Sequence, residues 1–167
     1  MVKTYIYELE SEKYATLLPK VVKSLSKDKY VIYVTTNKPC SLLIPLLKKS
    51  GVNSNNFFYI DCISKQVGAD CKYSNAIFLD GPQWLTLISI SITEAIKHSS
   101  GEAIIFFDSI SQLLNYNNPL SVIKFWTFVI NKAKLSNVDL VILDNDLGST
   151  KDVVKNLQSF VDEVKKL

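Results

Sequence analysis

Carboxylates recur at the ends of the apolar runs in this 167-residue chain. Glu8 and Glu10 follow the first run, Asp61 follows FFYI, Asp80 follows AIFL, Asp108 follows AIIFF, and Asp144 with Asp146 follows VDLVIL. Carboxylates gathered on one rim suit a hard cation such as Mg²⁺, which takes oxygen ligands and phosphate partners. An Asp after a strand is also an ordinary turn former or helix N-cap. For each of these acids taken singly, the capping role carries more weight. Asp108 stands above the others because the run before it is wholly apolar and Ser109 follows at once.

Other chemistries find less support. Cys40, Cys62 and Cys71 form no C-x-x-C pair and His98 is the single histidine, so a four-ligand zinc site would need distant parts. An odd number of thiols suits a reducing compartment. No G-x-S-x-G elbow occurs. His98 stands just before Ser99-Ser100-Gly101, where a cation near a helix C-terminus is expected on electrostatic grounds. The net charge of +3 comes from lysine alone, without arginine, the usual bidentate reader of phosphate and guanine. Nucleic acid is therefore an unfavoured partner, with the reservation that a Lys-, Asn- and Ile-rich, Arg-free composition also follows from an AT-rich genome. No signal core or membrane-length apolar stretch is present, so a cytoplasmic protein is expected.

The elements that must position these residues alternate in period. Val2 to Leu9 alternates as a first strand; Tyr14, Leu17, Leu18, Val21, Val22 and Leu25 then fall at helical spacing. Pro19 lies within that pattern and predicts a kink or a late start. Tyr30 to Thr35 is a strand, Ser41 to Lys49 a helix stopped by Gly51, and Phe57 to Ile60 a strand ending at Asp61. Cys62 to Asn75 reads as a surface loop and Ala76 to Leu79 as a short extra strand. Pro82 to Lys97 is a helix with Trp84, Leu85, Ile88, Ile92, Ala95 and Ile96 inward. Ala103 to Phe107 is a strand ending at Asp108. Tyr116, among Asn115, Asn117 and Asn118, reads as a polar loop. Asn118-Pro119 caps a helix carrying Val122, Ile123, Trp126, Val129, Ile130 and Ala133. Val138 to Leu143 is the fifth core strand, ending at Asp144. Ser149 with Asp152 looks like a capping box for a last helix that buries Val153, Val154, Leu157, Phe160, Val161 and Val164. Strands that are apolar throughout, alternating with helices, require a mainly parallel sheet covered on both faces: a three-layer, doubly wound α/β domain spanning 1–167. Ligands in such sheets bind beyond the carboxyl ends of the strands.

Ala103 to Leu114 (AIIFFDSISQLL) resembles the Walker B strand of RecA/KaiC-like ATPases. Trp84 to Lys97 is similar to the helix before it in archaeal KaiC-like proteins of unassigned function, and Val31 to Pro39 to their second strand and turn. The resemblance covers roughly residues 29–145 and implies the ATPase fold, with Asp108 as the Walker B acid. The chain departs from the family where the phosphates would be held. A working member carries G-x-x-x-x-G-K-[ST] after its first strand; here Glu8-Leu9-Glu10-Ser11-Glu12-Lys13-Tyr14 occupies that place. Without glycines the amides cannot curl around phosphate. Glu8, Glu10 and Glu12 oppose a nucleotide's negative charge, and Tyr14 replaces the Ser/Thr that would hold Mg²⁺. Lys13 reads as an exposed lysine of the first helical turn. Walker-type hydrolysis is not expected and no cofactor is called for, with ATP or Mg²⁺ binding left open.

Three functions follow. The first is a non-catalytic module binding a protein partner or a second copy. Phe125, Phe128, Leu87 and Ile90 are aromatic and aliphatic residues beyond what one inward stripe absorbs; they widen the core or form an interface. Because the chain opens at its first strand, a monomer or dimer is expected over a ring. The second is a Mg²⁺-dependent phosphoryl-accepting switch of receiver type, with Asp61 as acceptor and Glu8 and Glu10 at the metal; the lysine it needs after the fifth strand is replaced by Asp144-Asn145-Asp146. The third, residual nucleotide or nucleic-acid binding, ranks lowest.

Overall fold

The computed structural model describes all 167 residues. In chain order the elements are β1 (Thr4–Glu8), α1 (Tyr14–Leu25), β2 (Tyr30–Thr35), α2 (Cys40–Lys49), β3 (Phe57–Asp61), α3 (Ser64–Val67), β4 (Ala76–Phe78), α4 (Leu85–His98), β5 (Ala103–Asp108), α5 (Ile110–Tyr116), α6 (Pro119–Leu135), β6 (Asp139–Asp144), α7 (Lys151–Leu157) and β7 (Glu163–Lys166). The strands form one seven-stranded sheet in the order β4-β3-β2-β5-β6-β1-β7. Every pairing is parallel. This is the doubly wound α/β architecture that the apolar runs require.

The two faces follow from the two-residue period of the strands. Val31, Tyr33, Ile104, Phe106, Val141 and Leu143 face α1 and α2, where Leu18, Val22, Leu43 and Leu47 complete one buried cluster. Ile32, Val34, Ile105, Phe107, Leu140 and Ile142 face the other side and meet α4, α5, α6 and α7. Trp126 anchors that second layer; its ring crosses Phe107 edge-on at 4.4 Å and Phe125 at 5.1 Å. Gly51 ends α2 in the left-handed region at φ 77°, which a side chain would resist. Asn118 caps α6 as its sequence announces, accepting from Ser121 N, with Pro119 at the first turn.

Several local expectations change. Pro19 lies inside α1, which already begins at Tyr14. Cys62 to Asn75 is not simply a surface loop: Cys62, Ile63 and Ser64 are buried and start α3. Trp84 precedes the first turn of α4 and stands in solvent, because Leu85 rather than Trp84 reaches the core. The segment around Tyr116 is the end of a helix, α5, carried by the buried Ile110 and Leu113. Thr150, not Ser149, occupies the cap position of α7, and that helix stops at Leu157. Phe160 is left exposed while Val164 belongs to β7. The charged run EVKK hides this strand from a periodicity argument; it forms because β1 offers an open edge, to which it pairs from Tyr5↔Glu163 to Glu8↔Lys166.

Candidate functional site

The chain runs from β2 outward to β3 and from β5 the opposite way to β6, so the strand order reverses between β2 and β5. The carboxyl ends of these strands are where a doubly wound sheet holds its ligand. Here that crevice is laced shut by protein groups. Thr36 N and Thr36 Oγ1 both donate to the Asp108 carbonyl, at 2.7 and 2.8 Å, and Ser109 N donates back to Thr36 Oγ1 at 3.0 Å. Ser111 Oγ donates to Asn145 Oδ1 at 2.7 Å, and Ser11 Oγ to the Asn145 carbonyl at 2.5 Å. The ends of β1, β2, β5 and β6 are thereby tied to one another.

Asp108 lies at the centre of this knot and is 0% exposed. Its side chain points to the α1 face, beneath the first turn of that helix, where the Tyr14 and Tyr33 phenols approach it. Burial pushes its pKa up to about 6, while Tyr14, Lys38 and Tyr33 pull the other way without prevailing. The same burial, with the carboxylate nearby, raises both phenols well above their ordinary values. Neither carboxylate oxygen nor either phenol oxygen makes a hydrogen bond of ordinary geometry. The phenols are thus near enough to act on the ionisation of Asp108 but not aligned to satisfy it. An orphaned buried acid of this kind favours its neutral form at acid pH.

The loop over Asp108 spans Leu9 to Lys13, between the end of β1 and the start of α1. Leu9 is buried, and its amide donates to the Asp144 carbonyl at 2.8 Å. The amides of Lys13 and Tyr14 turn back to the Glu10 and Ser11 carbonyls. Lys13 Nζ is exposed and pairs with Glu10 at 3.0 Å. Glu12 is exposed. Tyr14 is buried. In sequence it stands only as the residue in place of a Ser/Thr; in the fold its phenol approaches Asp108. Tyr33 comes to the same side through the alternation Val31-Tyr33-Thr35, paired with Ile104-Phe106-Asp108 on the neighbouring strand, a pairing that only the fold supplies.

The remaining rim acids do not converge. Asp61 is buried and fully engaged: Oδ1 accepts from Ile63 N (2.9 Å) and Ser64 N (2.8 Å), Oδ2 from Cys40 N (2.8 Å) and Ser64 Oγ (2.6 Å). It caps α3 and fixes the start of α2, leaving no free oxygen for a phosphoryl group or metal. Asp144 is buried against Thr150 Oγ1, with its pKa raised chiefly by burial. Glu8 lies half-buried beside it. Asp80 is exposed and paired with Lys65 at 3.0 Å, and Asp146 closes the turn before α7. No three His, Cys, Asp or Glu side chains are grouped to hold a metal ion.

The candidate interface residues separate. Phe125 is buried against Phe107 and Trp126 and belongs to the core. Leu87 (43%), Ile90 (53%) and Phe128 (48%) are exposed. Ile90 and Phe128 border a depression of about 390 Å³ between α4 and α6, with Thr86, Ser89, Thr93 and Glu94. On the other flank of α4, Ile90 and Glu94 border a second depression of about 500 Å³ whose floor is Tyr30, Phe58 and Ile77 of the sheet. Ligand sites are concave and mostly apolar with few polar groups; the second depression, lined by Tyr30, Phe58, Ile77, Ile90 and Ala95, fits that description better than the first.

These features define a doubly wound parallel α/β protein with a closed strand-end rim and an apolar flank around α4. Among solved structures the chain is similar to uncharacterized protein PH0321 from Pyrococcus horikoshii, crystallised in complex with an unknown peptide. The match has a TM-score of 0.72 and 15% identity over 98% of this chain and 76% of that one. It is also similar to PH0250 from Pyrococcus horikoshii OT3, at a TM-score of 0.61 and 12% identity over 98% and 81% of the two chains. Likeness at these identities establishes the fold. No protein-family profile matches the sequence, and no curated protein does. No helix is long and apolar enough to cross a membrane.

Proposed function

We propose that this chain is a non-catalytic module of RecA/KaiC-like build that serves as a protein-binding scaffold or regulatory subunit. The observation that carries the reading is Asp108. The acid at the Walker B-like position is wholly buried, near Tyr14 and a glycine-free turn that carries Glu10 and Glu12. A metal-nucleotide complex would have to displace the Tyr14 ring, break the Ser11–Asn145 and Leu9–Asp144 hydrogen bonds, and bring its phosphates against Glu10 and Glu12. Each step is unfavourable, and no glycine supplies the compensating amide contacts. The apolar residues left in solvent on α4 and α6 support the binding half of the reading, since aromatic and aliphatic groups gather at interface cores. The crystallisation of PH0321 with a peptide supports it too.

Thermal unfolding with and without ATP and Mg²⁺, repeated on Lys13→Ala, tests the first half. A ligand at a hundredfold over its Kd adds about 2.7 kcal/mol, which for a domain of this size moves Tm by several degrees. We expect no shift at millimolar nucleotide. A shift that disappears in Lys13→Ala would mean that the turn opens and grips phosphate, and would end the non-catalytic reading.

A further inference from the structure

The two edges of the sheet are unlike. At one end β7 carries Glu163, Lys165 and Lys166, charges of the kind that discourage another strand from pairing. At the other end β4 is Ala76-Ile77-Phe78, uncharged and only half-buried. Tyr59 N donates to the Asn75 carbonyl, and Leu79 N to the Asp61 carbonyl. Ile77 pairs opposite Ile60. Residues 75, 77 and 79 therefore spend their pairing groups on β3. By the alternation of the strand, Ala76 and Phe78 direct their amides and carbonyls to the open edge. Ile77 also lies in the floor of the depression beside Ile90, Phe58 and Ala95. Unpaired main-chain groups beside an apolar recess are the two parts that strand addition uses: hydrogen bonds for affinity, a pocket for an alternate side chain.

We propose that β4 is a docking edge for an extended polypeptide segment of a partner protein. The segment adds an eighth strand outside β4 and places an uncharged aliphatic or aromatic side chain over Ile77 and Ile90. The size of the edge selects this occupant. A three-residue strand is about 10 Å long, so strand pairing here supplies a second folded copy with only a small part of the roughly 1,200 Å² that a stable interface buries. A flexible segment needs no such area. This inference rests on the protein-binding reading above and names the partner for it.

The probe is a displayed library of random dodecapeptides selected on the intact chain. Selected peptides, made synthetically and labelled, are titrated against wild type, Ala76→Pro and Ile90→Asp. Proline removes one outward amide on an edge where it is tolerated, and thermal unfolding checks that the variant folds. Ile90 is exposed, so its substitution leaves the core intact and tests the recess independently. We expect peptides with alternating apolar residues, binding weakened at least about tenfold by either change, and slowed hydrogen exchange at the Ala76 and Phe78 amides when peptide is bound. Peptides that bind both variants like wild type, with exchange slowed only on α4 and α6, would overturn the edge while leaving a protein-binding module. A library that yields nothing above background would overturn both.

Discussion

Three aspartates at strand ends look alike in sequence and play different parts. Asp61 meets four donors, Asp144 meets Thr150, and Asp108 meets none of proper geometry. Asp108 keeps its proton to about pH 6 in the fold, against an ordinary 3.8. Folding therefore takes up a proton between those values. The stability this group contributes is fullest below pH 3.8 and falls as pH rises through about 6, on the order of 3 kcal/mol in all. Asp108→Asn cannot ionise, so at pH 8 it is expected to be more stable than wild type by about 1–3 kcal/mol, with the advantage gone at pH 4. Urea unfolding of both proteins at the two pH values checks this, and the difference cancels the other titrating groups. Asp61→Asn has the opposite sign. The amide keeps one acceptor and turns its NH₂ toward the Cys40 amide, leaving buried donors unmet, at a cost of about 2–4 kcal/mol. A loss under 1 kcal/mol in the same assay would mean that Asp61 is not the cap described above, and would restore it as a free carboxylate.

The helices on the second face divide into core and surface stripes one residue apart. On α6, Phe125 and Trp126 are buried and Phe128 is not. Trp126→Ala removes the ring that fills the space between Phe107 and Phe125, and should cost about 3–5 kcal/mol. Phe128 is 48% exposed, so Phe128→Ala should change the stability of the isolated chain far less, by about 1 kcal/mol or under. Measured by chemical denaturation, a large loss for Phe128→Ala would mean that the residue is already covered in solution by another copy.

Across the whole molecule, stability should fall from the middle of the sheet to its edges. β2, β5 and β6 are flanked by strands on both sides and buried nearly throughout. β4 and β7 have one neighbour each and little or no full burial. Native-state hydrogen exchange is expected to be slowest at Val34, Phe106 and Ile142, and fastest among strand residues at Phe78 and Lys166. Equal protection of β4 and β5 in the free chain would mean that the β4 edge is covered from the outset, leaving no room for an added strand.

The alternation of apolar runs with helical segments is enough by itself to determine a doubly wound, mainly parallel sheet, because only strands covered on both faces are apolar throughout. The cap at Asn118 and the glycine-free turn after the first strand are legible too, since these depend on residue type at a local spacing. Other features depend on which strands become neighbours. The charged EVKK strand exists because β1 has an open side. Trp84 is in solvent because α4 begins only at Leu85, three residues beyond Pro82. Tyr14 reaches Asp108 because β1 and β5 bracket β6 and lay the first turn of α1 over the end of β5. Three strand-end aspartates that look alike in sequence become, in three dimensions, one acid that ties down helix amides, one bonded to a threonine hydroxyl, and one buried without a partner. Whether a buried oxygen is satisfied is decided by donors distant in sequence, and only the tertiary structure brings them together.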